Sequence, residues 1–262
     1  GNRFPERHHL PVDPCLHEPH SYDDKHSHPR PRAVVHLHGG HVRPQSDGYP
    51  ETTLLPGQSA AYEYPNLQSP ATLWYHDHAL GITRLNVYMG LAGFYILRDP
   101  AESKLNLPQG RYEIPVVIQD RSFNHDGSLE YPESWEEEFF GDAILVNGKV
   151  WPYLDVEARK YRFRILNGSN SRTYRLALDS EQEFYQIGTD GGLLEEPVEV
   201  KQITLTAGER ADVIVDFSKR RGEVHLVNSA PAPFPGDPEK GVVREVMQFR
   251  VTGSTGDDDS LP

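Results

Sequence analysis

The chain has 262 residues, 37% hydrophobic and 10% aromatic, enough for two domains of ordinary size with buried cores. Its 26 basic against 39 acidic residues give a net charge of -13, which argues against nucleic-acid or anionic-membrane partners, because phosphate binding needs clustered cations. No apolar run is long enough to span a bilayer, and the lone cysteine, Cys15, excludes an intrachain disulfide framework and any CxxC metal site.

Residues 1–32 are polar and irregular, and they carry His8, His9, His17, His20, His26 and His28. The opening GNRFPERHHL has no apolar h-region, so no signal peptide is visible. A solvated loop is the expectation here. The loose spacing of His17, His20, His26 and His28 leaves opportunistic metal binding as the alternative. From Ala33 the pattern changes: AVVHLHGG reads as a strand running into a glycine turn, and SAAYEYPN, ATLWYHDH and LAGFYILRDP read as further strands. No long amphipathic helix is predicted in this region. Charge, Asn, Pro and Gly in residues 100–112 mark a linker.

A second set of strands follows. EIPVVIQDRSF is β-branched and alternating, and AILVNGKVWPYLDV predicts a hairpin turning at Asn147-Gly148. YRFRILNGS alternates apolar and basic residues, as a strand with one wet face does. TYRLAL, FYQIGTDG, QITLTAGERADVIVDF, EVHLVNSA and VMQFRV continue the series to a polar, unstructured tail at 254–262. Short strands at regular spacing predict an all-β chain of sandwich or barrel domains, 1–100 and 111–253.

Thirteen histidines against two methionines is the unusual ratio. Two pairs stand out, His36-Leu37-His38 and His76-Asp77-His78. Residues i and i+2 of a strand share a face with Cα atoms roughly 6–7 Å apart, too wide for one ion to be chelated comfortably by both rings. The spacing suits histidines that each grip a different metal of a multinuclear cluster. Imidazole serves copper, zinc and iron alike, so the residue type does not name the metal. Burying four imidazoles with no metal or carboxylate partner is costly. HExxH is absent, and the residues after His38 lack the glutamate a cupin needs. A two-histidine, one-carboxylate iron site using Asp47 or Asp77 would leave two histidines unexplained.

HLHGGHVRPQSDGYPE and LWYHDHALGITRLNVYMGLAGFYILRDP resemble the first two copper-binding motifs of the multicopper oxidases, in the branch of the bacterial spore-coat laccases and bilirubin oxidases. The likeness continues through AILVNGKVWPYLDVEARKYRFRILNGSNSRTYRLAL and QIGTDGGLL to TAGERADVIVDF, over about residues 30–252. It implies tandem cupredoxin-like Greek-key domains, the first incomplete at its N-terminus and the second free of copper. It implies that His36 matches a type 2 copper ligand and that His38, His76 and His78 match type 3 ligands. Asp47 matches an acidic residue that assists proton delivery to the cluster. The resemblance further implies dioxygen and a small phenolic reductant as reactants, and an extracellular, periplasmic or spore-coat setting.

The family's other two histidine motifs, including His-Cys-His, are missing. Cys15 lies in DPCLHE, and neither Met89 nor Met247 has an axial-ligand setting. The chain is therefore expected to share its copper site with a C-terminal cupredoxin domain or companion fragment, and to be inactive alone. The alternative is a non-catalytic β-sandwich that binds metal as a scaffold. Trp74 and Tyr75 are expected to pack, Arg84 and Asn86 are candidates for contacts behind the ligands, and His41, His125 and His225 are expected to be solvated or structural. The acidic stretch 132–142 reads as a solvated loop.

Overall fold

The computed structural model describes residues 7–12, 31–253, 258 and 260. Cys15, His17, His20, His26 and His28 lie outside them. Two compact units are present. The first holds the described residues up to 68, with 73–95 and 122–137; the second holds 69–72, 96–121 and the described residues from 138 onward. No helix among the described residues is long and apolar enough to cross a membrane.

In the first unit, β1 (Val35–His38), β2 (Thr72–Asp77) and β3 (Ala92–Ile96) form a sheet in the order β1-β2-β3, with a six-residue helix, α1 (Thr83–Tyr88), between β2 and β3. The expected strand at 59–66 is absent, because Glu63 N–H donates to Ser46 Oγ and Asn66 turns at φ 55°. Its alternating tyrosines stack instead, Tyr62 on Tyr64 and Tyr64 against Tyr95.

The second unit is a sandwich. β4 (Glu113–Phe123) matches the expected strand end to end; its last two residues, which belong to the first unit, pair with the two-residue β5 (Leu129–Glu130). β6 (Ala143–Val146) and β7 (Lys149–Val150) form the predicted hairpin, with Asn147 and Gly148 at φ 50° and 78°. These two positive φ values match the right-handed twist of the strands they join. A Cβ on Gly148 would meet nothing within 4 Å, so Gly148→Ala is expected to lose only the left-handed backbone term, about 1 kcal/mol by urea denaturation.

β8 (Tyr153–Glu157), β9 (Lys160–Asn167), β10 (Tyr174–Leu178), β11 (Phe184–Thr189), β12 (Gly192–Val200), β13 (Ile203–Leu205), β14 (Arg210–Asp216), β15 (Gly222–Asn228) and β16 (Glu245–Thr252) complete it. One sheet runs β13-β10-β15-β16-β8 and the other β12-β11-β14-β9-β4-β6-β7. Their apolar faces enclose the core: Val116, Phe163, Ile165 and Val213 from one side, Leu176, Leu226 and Phe249 from the other, with the Phe163 and Phe249 rings 5.2 Å apart. β12 escapes a period-2 reading because it is an edge strand. Its row of exposed glutamates and its Pro197 are what an unpaired edge tolerates.

The wet face expected for β9 is a correction. Arg162 and Arg164 are each 1% exposed. Arg162 pairs with Asp212 and Glu102. Arg164 reaches Glu113 at 2.6 Å, Glu102 at 2.7 Å and Thr72 Oγ1 at 2.8 Å. Glu102 comes from the segment read as a linker, so that segment is anchored. The tail expectation also changes at its described residues, since the Asp258 carboxylate accepts from Lys160 N at 2.6 Å and pairs with Arg159.

Candidate metal centre

Register places the histidines. β1 and β2 pair antiparallel with His36 opposite His76, His38 opposite Trp74 and Val35 opposite Asp77. Directly opposed residues project to one face and neighbours along a strand alternate. His36, His38, His76 and Trp74 therefore share a face, while Asp77 and Tyr75 turn to the other. His78, just beyond β2, returns to the histidine side: its ring centroid is 5.1 Å from that of His36 and 5.8 Å from that of His76. The remaining neighbours are equally close, with His36 and His76 at 5.3 Å and His38 and His76 at 5.4 Å. One ligand atom from each of His36, His38 and His76 lies within 4.8 Å of the others.

Two rings are turned by main-chain oxygens. His36 Nδ1 lies 2.6 Å from Asp47 O, and His76 Nδ1 lies 2.8 Å from Asp77 O. A carbonyl only accepts, so both Nδ1 atoms carry the proton and both Nε2 atoms keep a lone pair. His76 Nε2 meets His38 Nδ1 at 3.2 Å. His78 Nδ1 is buried with no hydrogen-bond partner among the described residues. Burial, with the His36 and His78 charges, pulls the His76 imidazole down to about 4 against the lift from its carbonyl bond, so it is neutral at neutral pH. A neutral imidazole needs no proton removed before it binds a metal. Converging lone pairs, carbonyl-fixed tautomers and an orphaned buried ring nitrogen together fit a multinuclear metal site.

Asp47 sits beside the cluster. Its main-chain oxygen turns His36, and its carboxylate, half exposed, lies 3.3 Å from the same Nδ1. Trp74 stacks on His38 at 5.1 Å and lies tilted against His76 at 4.3 Å, forming an apolar wall. Tyr75 is exposed and lies across Gly93. Asp77 is not among the converging groups. It is buried and accepts from Val34 N and Ala79 N, and burial raises its pKa against the pull of those bonds. Asn86 is the candidate that reaches behind the ligands, touching Asp77, while Arg84 donates to Gly81 O within its own turn. His41, His125 and the loop around Trp135 are exposed. His225 pairs with Asp179 at 2.8 Å, a structural role.

Two family models, both described as multicopper oxidase, match residues 27–102 and 119–246. A laccase of Bacillus subtilis is 47% identical over 96% of the chain, and the bilirubin oxidase of Albifimbria verrucaria is 39% identical over 86%. The solved structure of the McoA multicopper oxidase from the hyperthermophile Aquifex aeolicus superposes with a TM-score of 0.80 over 88% of the chain at 39% identity. In each case the chain spans about half the length of the relative, 52%, 41% and 52% respectively.

Proposed function

Because the chain belongs to the multicopper oxidase family, we propose that His36, His38, His76 and His78 supply one half of a multinuclear copper site at which dioxygen is reduced to water. The observation that carries this reading is the convergence of ring nitrogens from His36, His38 and His76 within 4.8 Å, with two tautomers set by main-chain carbonyls.

His36 would hold the type 2 copper, and His38, His76 and His78 the type 3 pair. When bound, copper supplies the one-electron redox chemistry that couples oxidation of a small phenolic reductant to the four-electron reduction of dioxygen. The chain's own residues do the rest. The carbonyls of Asp47 and Asp77 hold two rings in the ligating tautomer. The Asp47 carboxylate, half in solvent and beside His36, is placed to take a proton from water and hold it at Oδ1 close to the cluster. Trp74 excludes water from the side it covers.

The remaining ligands and the entry point for electrons would come from a further cupredoxin-like domain outside these residues. Residues 1–100 and 111–253 would form the two domains of this chain, the second a copper-free spacer.

The test combines the chain with the complementary half of a related laccase. Copper per assembly and oxygen consumption with a phenolic reductant are then measured. The assembly is expected to take up the full copper complement and consume oxygen, and His76→Ala to lower the rate ~100-fold or more. Undiminished turnover by His76→Ala would refute the assignment. Tight saturation of the chain alone, with no gain from the companion, would point to a free-standing binding protein.

A further inference from the structure

We propose that Asp77, Asn86 and His8 form a positioning chain that locks β1 and β2 into the register the histidine cluster needs; the inference rests on the metal reading above. The ladder between the two strands ends at Val35 opposite Asp77. Beyond that point the strands are held by His78 N donating to Val34 O at 2.9 Å and by the Asp77 side chain.

The Asp77 carboxylate works as a two-point staple. Oδ1 accepts from Val34 N at 2.9 Å, just before β1, and Oδ2 accepts from Ala79 N at 3.0 Å, just after the second histidine pair. A slip of one residue in this pairing would carry the histidines of one strand to the opposite face. Asp77 itself faces away from the ligands, so it acts through the strands and not on the metal.

Asn86 and His8 hold the staple from behind. Asn86, 2% exposed on α1, donates through Nδ2 to Arg32 O at 2.9 Å and hydrogen-bonds the Asp77 carboxylate. A side-chain amide can sit either way round, and the Arg32 carbonyl, which only accepts, settles which. Asn86 Oδ1 therefore faces His8 Nε2, which donates to it at 3.1 Å, while His8 Nδ1 lies 3.1 Å from Leu10 N and 3.2 Å from Leu10 O. The amide nitrogen is turned toward Arg32 and Asp77. A segment otherwise read as irregular is thus tied to the strand that carries His76 and His78.

The experiment titrates the 262-residue chain with Cu(II), following the electron paramagnetic resonance spectrum and the melting temperature of the same samples. His36→Ala identifies the part of the signal that belongs to the cluster. Asp77→Asn, which leaves only one acceptor for two amides, is expected to weaken that part ten- to a hundredfold, as changes behind metal ligands do, and to alter its hyperfine pattern. Asn86→Leu and His8→Phe are expected to follow in the same direction with smaller changes.

Variants whose affinity and spectrum superpose on those of the parent, whatever their melting temperatures, would overturn the proposal. Should Asp77→Asn fail to fold, the half-buried His8 decides by the same criterion. A parent spectrum untouched by His36→Ala would instead sink the metal reading. Amide exchange at Val34 and Ala79 then decides the positioning chain alone: acceleration in Asn86→Leu supports it, and unchanged exchange removes it.

Discussion

Arg164→Met is expected to destabilise the second unit by about 3–5 kcal/mol, measured by urea denaturation, because it removes one cation from a buried, fully committed cluster. Arg162 and Arg164 face Glu102, Glu113 and Asp212, all nearly inaccessible, and Arg98 approaches Glu113 from the exposed side. Methionine fills much of the volume but leaves Glu113 and Glu102 short of a positive charge and Thr72 Oγ1 short of a donor. Lysine does not rescue it, since a point charge cannot span contacts with Glu113, Glu102, Asp212 and Thr72 at once. Arg98→Met is the internal control: its side chain is 51% exposed, so its loss is expected to cost ~1 kcal/mol or less. Equal losses from the two substitutions would refute the account.

The same cluster sets an acid limit. Burial alone would raise the Glu113 pKa, but hydrogen bonds from Arg98 and Arg164 and the charges of Arg164 and Arg162 bring it below its ordinary 4.5. A carboxylate depressed in the folded state contributes stability that is present above 4.5 and is lost as pH falls through the lower folded value. The melting temperature should therefore hold above 4.5 and drop below it, and Arg164→Met should blunt that drop.

Gly48→Ala is expected to cost about 3–5 kcal/mol and to abolish metal uptake by the cluster, a loss larger than its single methyl suggests. Gly48 adopts φ +77°, and an added Cβ would lie 2.2 Å from Val35 O, 2.7 Å from Val35 C and 2.9 Å from His36 Cα. These are main-chain atoms of the ligand strand and have no rotamer with which to yield. Either β1 moves, taking His36 with it, or the Asp47 carbonyl leaves the His36 ring. Gly57 gives the comparison: it sits at φ +89° with nothing within 4 Å of the added Cβ, so Gly57→Ala should cost only about 1 kcal/mol and leave metal uptake intact. Denaturation and a Cu(II) titration on the two variants would separate backbone strain from the collision.

Much of the architecture can be read from residues alone because it rests on local rules. Period 2 with apolar flanks marks β1 and β2, and Asn147-Gly148 marks its hairpin through the positive φ that only such residues adopt readily. Both histidine pairs are legible for the same reason, since alternation puts each pair on one face. What escapes reading depends on partners distant in the chain. Alternation in β9 reports that its two faces differ, yet cannot say that the basic face meets Glu102, 62 residues before Arg164, and Asp212, 50 residues after Arg162. Asp77 reads as a spacer between two ligands until Val34, just before the other strand, is seen to donate to it. Ser59–Asn66 has strand composition, but a hydroxyl takes an amide that a ladder would need.

The ring anchors at His36 and His76 are main-chain oxygens, and this bears on how such a site can drift. A mutation can replace the side chain at 47 without removing its carbonyl; at 77 the carbonyl is kept as well, but the carboxylate that staples the strands is not. The orientation of these two imidazoles is therefore inherited with the path of the backbone. Neighbouring side chains are left open to change, and a new electrostatic setting around the cluster can be sampled one substitution at a time without the two rings being turned.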